Sequence, residues 1–388
     1  MTYNHNSTLP QDWVEQIAEQ GFDYLPELLR VMINTAMQVE RQKYLGVGPY
    51  ERSPERRDYA NGYKPKTVKT RVGEVTFDVP QVREGDFYPE ALEKGLRSER
   101  ALTLSLAEMY VQGVSTRKVA AIVERLCGSG VSSSQVSKAT AQLDEKLTQW
   151  RNSALGEVIY LFLDARYEKV RQDGQVRDAA VLIAVGVGPD GKRKVLGVSV
   201  SLGEQEVHWR AFMESLVKRG LRGVQLIVSD DHAGLKAARQ AIFGGLPWQR
   251  CQFHLQHNAQ AYIPRKEMQS EVANDIRVIF NAPDRPTAER YLAETVKKYE
   301  KTASRLANWM EQNLPEGLTV FSFPSAHRRL IRTTNGVERL NREVKRRTRV
   351  VGIFPNETAC LRLVSAILME ISDEWESGRV YLALSVGL

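Results

Sequence analysis

The sequence predicts an α/β protein: a three-strand antiparallel meander passing into alternating helix and strand, broken by an all-helical insertion and preceded by short helices. Three observations carry this. Apolar runs joined by tight turns fill residues 157–201, helix and strand patterns alternate over 206–254, and residues 264–330 are almost wholly helical in pattern.

The first region, 1–97, opens with a helix whose apolar positions Leu25, Leu29, Met32, Ala36 and Val39 are spaced four, three, four and three. That stripe suits burial in a local core or a contact between two copies. The basic stretch YERSPERRDYANGYKPK follows, then two short strands, TVKTRV and VTFDVPQV, separated by Gly73. Arg56, Arg57, Lys64, Lys66 and Lys69 are its candidate DNA contacts, on a small mixed module or a basic loop. Residues 98–151 carry three short helices, the second N-capped by Ser115 and the third opened by a Ser132/Gln135 capping box. This suits a DNA-binding helix-turn-helix, with Arg117, Lys118, Ser133, Ser134, Gln135 and Lys138 on its accessible side, or else a plain helical bundle.

The core comes next, 152–263. VIYLFL ends at Asp164, AAVLIAVGV follows a QDGQ turn, and KVLGVSVS follows a PDGK turn, which makes the meander. A helix, EVHWRAFMESLVKRG, leads to the strand VQLIVS ending at Asp230, then to a helix from Gly234 and a strand around WQRCQF. Parallel strands added to an antiparallel meander in this way follow the ribonuclease H order. The helical insertion spans 264–330, and 331–388 returns to the core.

The 388 residues are enough for two or three domains. Cys127, Cys251 and Cys360 include no CxxC pair, so neither a disulfide framework nor an all-cysteine zinc site is expected. The N-terminus lacks the regions of a signal peptide, and no apolar run approaches the ~20 residues that span a bilayer. A soluble cytoplasmic protein without a membrane partner is therefore expected. The net charge is +7, and it is concentrated. Residues 52–71 hold seven Lys/Arg against two Asp/Glu, net +5, and 335–350 hold six against two, net +4, leaving the remainder near −2. Two focused basic patches predict a polyanion such as nucleic acid.

The second patch, TTNGVERLNREVKRRTRVV at 333–351, reads as a helix. Val337, Leu340, Val344 and Val351 form a core-facing stripe, while Arg342, Lys345, Arg346 and Arg349 share the side of Glu338. Such a face is either simply solvated or a phosphate track beside one acid. Asp164 and Asp230, each at the end of an apolar run, would meet if the first and fourth strands are neighbours. With Glu338 they would form an all-oxygen site for Mg²⁺ or Mn²⁺, whose paired ions ~3.5–4 Å apart serve phosphodiester displacement.

LFLDARYEKVR around Asp164, IVSDDHAGLKAA around Asp230, CQFHLQHNA at 251–259 and TTNGVERLNREVKRRTRVVGIFPN at 333–356 resemble the Mutator-like family of bacterial insertion-sequence transposases, the IS256 type. YERSPERRDYANGYKPKTVKTRVGEV and AEMYVQGVSTRKV are similar to it too, so the resemblance spans most of the chain. It implies a ribonuclease H-like DDE transposase with Asp164, Asp230 and Glu338 as catalytic and metal-binding acids, two Mg²⁺ (or Mn²⁺) ions per site, and no small-molecule cofactor. Water attack would expose a 3′-OH that attacks a second phosphodiester, without a covalent enzyme intermediate. Asp230 is taken over Asp231, which would cap the next helix. Cys251 and His254 match the family's C-x2-H signature; a zinc site would need four ligands and only His257 lies near enough to extend the pair, so His254 is expected near the scissile phosphate and Cys251 buried beside the strand. Asn335 and Arg339 would orient Glu338 and bind phosphate, and Arg166 is a further DNA candidate. Where relatives show an H-W-R type sequence, this chain has His327, Arg328 and Arg329, so any base stacking would fall to Trp309, Phe321 or Phe323, whose commoner fate is core packing. The implied partners are terminal inverted repeats, target DNA and a second copy or larger assembly, at the bacterial nucleoid, by a copy-out route with a circular intermediate. A nuclease or resolvase without strand transfer and a DNA-binding regulator without chemistry are the alternatives.

Overall fold

The computed structural model describes residues 10–48, 50–51, 53–128 and 130–383. The chain divides into two units, one running to residue 110 and from 114 to 142, the other comprising 111–113 and 143 onward.

In the first unit, α1 (Gln11–Gln20) and α2 (Leu25–Leu45) precede a hairpin of β1 (Ala60–Thr70) and β2 (Gly73–Val82). Gly46, with φ of 74°, ends α2 in the left-handed conformation that a side chain resists. Met37 of α2 packs with Val68, Val75, Phe77 and Val79 of the hairpin. The stripe along α2 divides: Leu29 and Ala36 are half-buried, whereas Leu25, Met32 and Val39 remain 38, 59 and 43% exposed. β1 begins seven residues before the expected TVKTRV strand. Its first six residues are exposed, so no inward–outward alternation marks them in the sequence. Three helices follow, α3 (Arg100–Val111), α4 (Thr116–Cys127) and α5 (Ser133–Ala141), around Leu102, Leu106, Val119, Val123, Val136 and Ala139. Ser115 caps α4, and the Ser132/Gln135 capping box opens α5, as the spacing predicts.

The second unit begins with α6 (Asp144–Arg151) and a mixed sheet of β3 (Tyr160–Gln172), β4 (Gln175–Val187), β5 (Arg193–Ser201), β6 (Leu226–Ser229) and β7 (Trp248–Arg250). Its order is β5-β4-β3-β6-β7, antiparallel across the first three strands and parallel from β3 to β6 and β7. Asp173 and Gly174, both with positive φ, form the two-residue turn that the β3–β4 register needs. α7 (Glu206–Lys218) and α8 (Ala233–Phe243) make the crossovers, and Trp209, Phe212, Met213 and Leu216 of α7 pack with Leu161, Leu163, Leu182 and Ile227 of the sheet.

α9 (Gln252–Ala259) starts where the sequence suggested that a strand continued. α10 (Gln269–Phe280), α11 (Arg285–Tyr299), α12 (Ser304–Asn313) and α13 (Ser325–Ile331) fill the expected helical stretch. α14 (Asn335–Thr348) and α15 (Glu357–Ser377) close the chain. α15 was not anticipated; it buries Leu363, Val364, Ile367 and Leu368. Phe354, between α14 and α15, exchanges backbone hydrogen bonds of 2.8 Å with β3 at Lys169 and Arg171. None of the described helices is long and apolar enough to cross a membrane.

Candidate active site

β3 does not stop at Asp164, as the end of its apolar run suggested; it continues to Gln172 as an arm of the β3–β4 hairpin. What stops is the neighbour. Pairing with β6 ends at Phe162 opposite Val228, so Asp164 lies just past the parallel ladder, where Asp230 leaves β6. Glu338 is in the first turn of α14, where a carboxylate also complements the helix dipole. His254 on α9 links the acids: its Nδ1 is 4.0 Å from Asp230 Oδ1 and its Nε2 is 3.8 Å from Glu338 Oε1.

Asp230 and Asp231 have different surroundings. Asp231 is held by Arg250 and Lys236, each at 3.0 Å, and both cations also grip Glu316 of the helical insertion at 3.0 and 2.9 Å. The cap position of α8 belongs to His232, so Asp231 is an ion-pair anchor rather than the expected cap. Asp230 accepts the Asp231 backbone N–H at 2.7 Å and turns its carboxylate to His254.

Asn341, one turn after Glu338, was not singled out from sequence. Its Nδ2 donates to Asp164 Oδ2 at 2.8 Å. Its backbone oxygen accepts from Arg166, which pairs with Glu168 at 2.7 Å, and Glu168 accepts from the Thr348 hydroxyl at 2.8 Å. Arg166 is therefore turned inward, stitching β3 to α14, and not outward to a phosphate. Cys251 is buried; its Sγ accepts from the Thr334 backbone N–H at 3.3 Å and the Thr334 hydroxyl at 3.4 Å.

Burial is the main force lifting the Asp164 carboxyl to about 7; the Glu338 and Asp230 charges add to the rise and His254 opposes it. For His254, burial disfavours the imidazolium, but the Cys251 sulfur beside it, then Asp230 and Asp164, outweigh this and raise it to about 9. His254 Nδ1, Glu338 Oε1 and Asn341 Oδ1 are buried without a hydrogen-bond partner among the described residues. Cys251, His254 and Glu338 form a group that could hold a metal ion.

Along α14, Val337, Leu340 and Val344 are buried and Arg342, Lys345, Arg346 and Arg349 exposed, as the periodicity predicts; Val351 lies beyond the helix, half-buried. Arg346 is partly occupied by Glu343, at 2.8 and 2.7 Å. Asn335 and Arg339 are exposed, and no hydrogen bond among the described residues joins either to Glu338. Trp309 and Phe321 are buried; Arg328 bonds the backbone oxygens of Pro283, Phe321 and Phe323. In the other unit Arg57, Lys64, Arg117, Lys118, Ser134 and Lys138 are exposed. Lys66 is tied to the Tyr88 hydroxyl and the Glu93 backbone oxygen, Lys69 to the Gly130 backbone oxygen, and Arg56 to that of Glu51, while Gln135 serves the capping box.

Acidic side chains gathered about His254, with an exposed cationic helix face on the element that carries Glu338, suit chemistry on a polyanion. Residues 1–378 match the family model described as "Transposase, Mutator family". The chain is 59% identical over 368 residues to the transposase for insertion sequence element IS406 of Burkholderia multivorans, covering 94% of this chain and 95% of that one. It is 43% identical over 370 residues to the transposase for ISRM5 of Rhizobium meliloti, covering 95% and 93%. It is 38% identical over 386 residues to the transposase for IS256 in transposon Tn4001 of Staphylococcus aureus, covering 97% of each. The chain belongs to the Mutator family of transposases.

Proposed function

We propose that this chain cuts and joins DNA at the ends of an insertion sequence, with Asp164, Asp230 and Glu338 as the acids of a DDE site. The observation that carries the reading is the convergence of these three carboxylates around His254. The strand order supports a ribonuclease H-like core over 152–263 and 331–388, interrupted by the helical domain 264–330. The capped helices α4 and α5 support a helix-turn-helix over 98–151, with 1–97 a further DNA-binding and self-association region.

Asp164, Asp230 and Glu338 would hold two Mg²⁺ or Mn²⁺ ions. The carboxylate donors and the partnerless buried Oε1 of Glu338 fit such ions. When bound, the ions activate the attacking oxygen and offset charge on the leaving one. Asn341 fixes the rotation of the Asp164 carboxylate. His254, protonated at neutral pH, donates to an oxygen of the scissile phosphate. Arg339, Arg342, Lys345 and Arg349 grip the flanking phosphates, and Arg57, Lys64, Arg117, Lys118, Ser134 and Lys138 hold the terminal repeat. The exposed Leu25, Met32 and Val39 favour a second copy as a further partner. Family resemblance favours a copy-out route through a circle. Labelled element ends incubated with Mg²⁺ should yield a nicked strand with a free 3′-OH and then a joined product; nicks without joining would reduce the reading to a nuclease.

A further inference from the structure

Three donors of unlike hardness meet beside the carboxylates: Cys251 Sγ, a ring nitrogen of His254 and an oxygen of Glu338, all within 4.8 Å of one another. Magnesium chemistry has no use for a sulfur there. We propose that Cys251, His254 and Glu338 form a zinc site whose occupation withdraws Glu338 from Mg²⁺ and shuts off cleavage.

Zinc takes sulfur, nitrogen and oxygen together, with three protein ligands and one open position in non-structural sites. Bonds of ~2.0–2.1 Å make a tetrahedral edge of about 3.4 Å. The 3.8 Å between His254 Nε2 and Glu338 Oε1 is a few tenths longer, within reach of a side-chain adjustment. The sulfur is already prepared. Two donors from Thr334 point at it, the outer-shell pattern that stabilises a metal-bound thiolate. Thr334 also accepts the Glu338 backbone N–H at 2.9 Å, so one residue sets the sulfur and the carboxylate relative to each other. Glu338 Oε1, buried without a hydrogen-bond partner among the described residues, faces His254 Nε2 across that edge. Binding would release the Cys251 thiol proton and one proton of the His254 imidazolium to water. For such a mixed donor set Zn²⁺ outranks the hard Mg²⁺, so low zinc could displace a much larger magnesium pool.

The site's existence is independent of the proposed activity, and only its inhibitory consequence rests on it. The test uses the full chain with Zn²⁺ alone and with Co²⁺ alone. We expect one Zn²⁺ per chain and a sulfur-to-cobalt charge-transfer band. Cys251→Ala should lose the band and weaken zinc by at least about 100-fold, the upper end for outer-shell changes. Asp164→Asn should keep both. Should Cys251→Ala fail to fold by circular dichroism, His254→Ala is measured instead and should show the same loss of zinc. A wild-type chain without the band, or a folded Cys251→Ala chain binding zinc as tightly as wild type, overturns the proposal. In cleavage assays zinc should raise the Mg²⁺ needed for half-maximal rate in wild type; each variant is read against its own zinc-free rate, and equal sensitivity of Cys251→Ala also overturns it. Zinc binding without any Mg²⁺-dependent cleavage would remove the proposed function and leave the zinc site standing.

Discussion

Asp164 is surrounded by groups that disagree about its charge: burial and two acids favour the neutral form, while His254 favours the anion. The Asn341 amide, donating at 2.8 Å, decides how the carboxylate is turned. Asn341→Ala should therefore raise the Mg²⁺ concentration for half-maximal cleavage by about 10- to 100-fold, as outer-shell changes do, with end binding retained. Mn²⁺ binding followed by electron paramagnetic resonance should show the same shift without DNA. His254 has a pH signature. Its folded pKa of about 9 exceeds the ordinary ~6.5, so the stability it contributes is complete below about 6.5 and is lost as pH rises through about 9. The melting temperature of the metal-free chain should fall over that window, and His254→Gln should flatten the fall. The three acids were legible because each ends an apolar run or interrupts a cationic face. Asn341 was not: an amide among charged helix residues looks solvated until β3 is placed beneath it.

α14 presents one face to the core and one to solvent, yet its attachment comes from a cation that the apolar stripe does not reveal. Arg347 is buried and bonds Glu343 at 2.7 Å and Glu370 of α15 at 2.7 and 3.0 Å. Removing it takes from Glu370 its ion-pair partner and leaves Glu343 with Arg346 alone, so Arg347→Ala should cost about 3 kcal/mol by denaturant unfolding, whereas Arg349→Ala, on the exposed face, should cost under about 0.5 kcal/mol. Equal losses would mean that the strut carries no weight. Elements bounded by local signals were readable from sequence: the Asp-Gly turn after β3, the capping box of α5 and the stripe of α14. Those defined by distant partners were not. The outer half of β3 is paired by β4 and by the Phe354 segment, and the first half of β1 is exposed, so neither carries the apolar run that announces a strand.

Across the whole chain, positive charge is concentrated at two places, and the structure separates free cations from occupied ones. Arg342, Lys345 and Arg349 make no ion pair among the described residues, whereas Arg346 shares Glu343 and Arg166 is turned inward. Replacing Arg342, Lys345 and Arg346 together should flatten the salt dependence of DNA binding by about two to three units of logarithmic slope, near one per lost phosphate contact. Composition could indicate a polyanion partner, but only tertiary placement shows which cations are available to it. The central claim is that Asp164, Asp230 and Glu338 act as one catalytic set. Its most direct test is strand mapping on labelled element ends with Mg²⁺, comparing wild type with Asp164→Asn, Asp230→Asn and Glu338→Gln at equal end occupancy. Each single change should abolish nicking and joining while the ends stay bound; robust cleavage by any one of the three would contradict it.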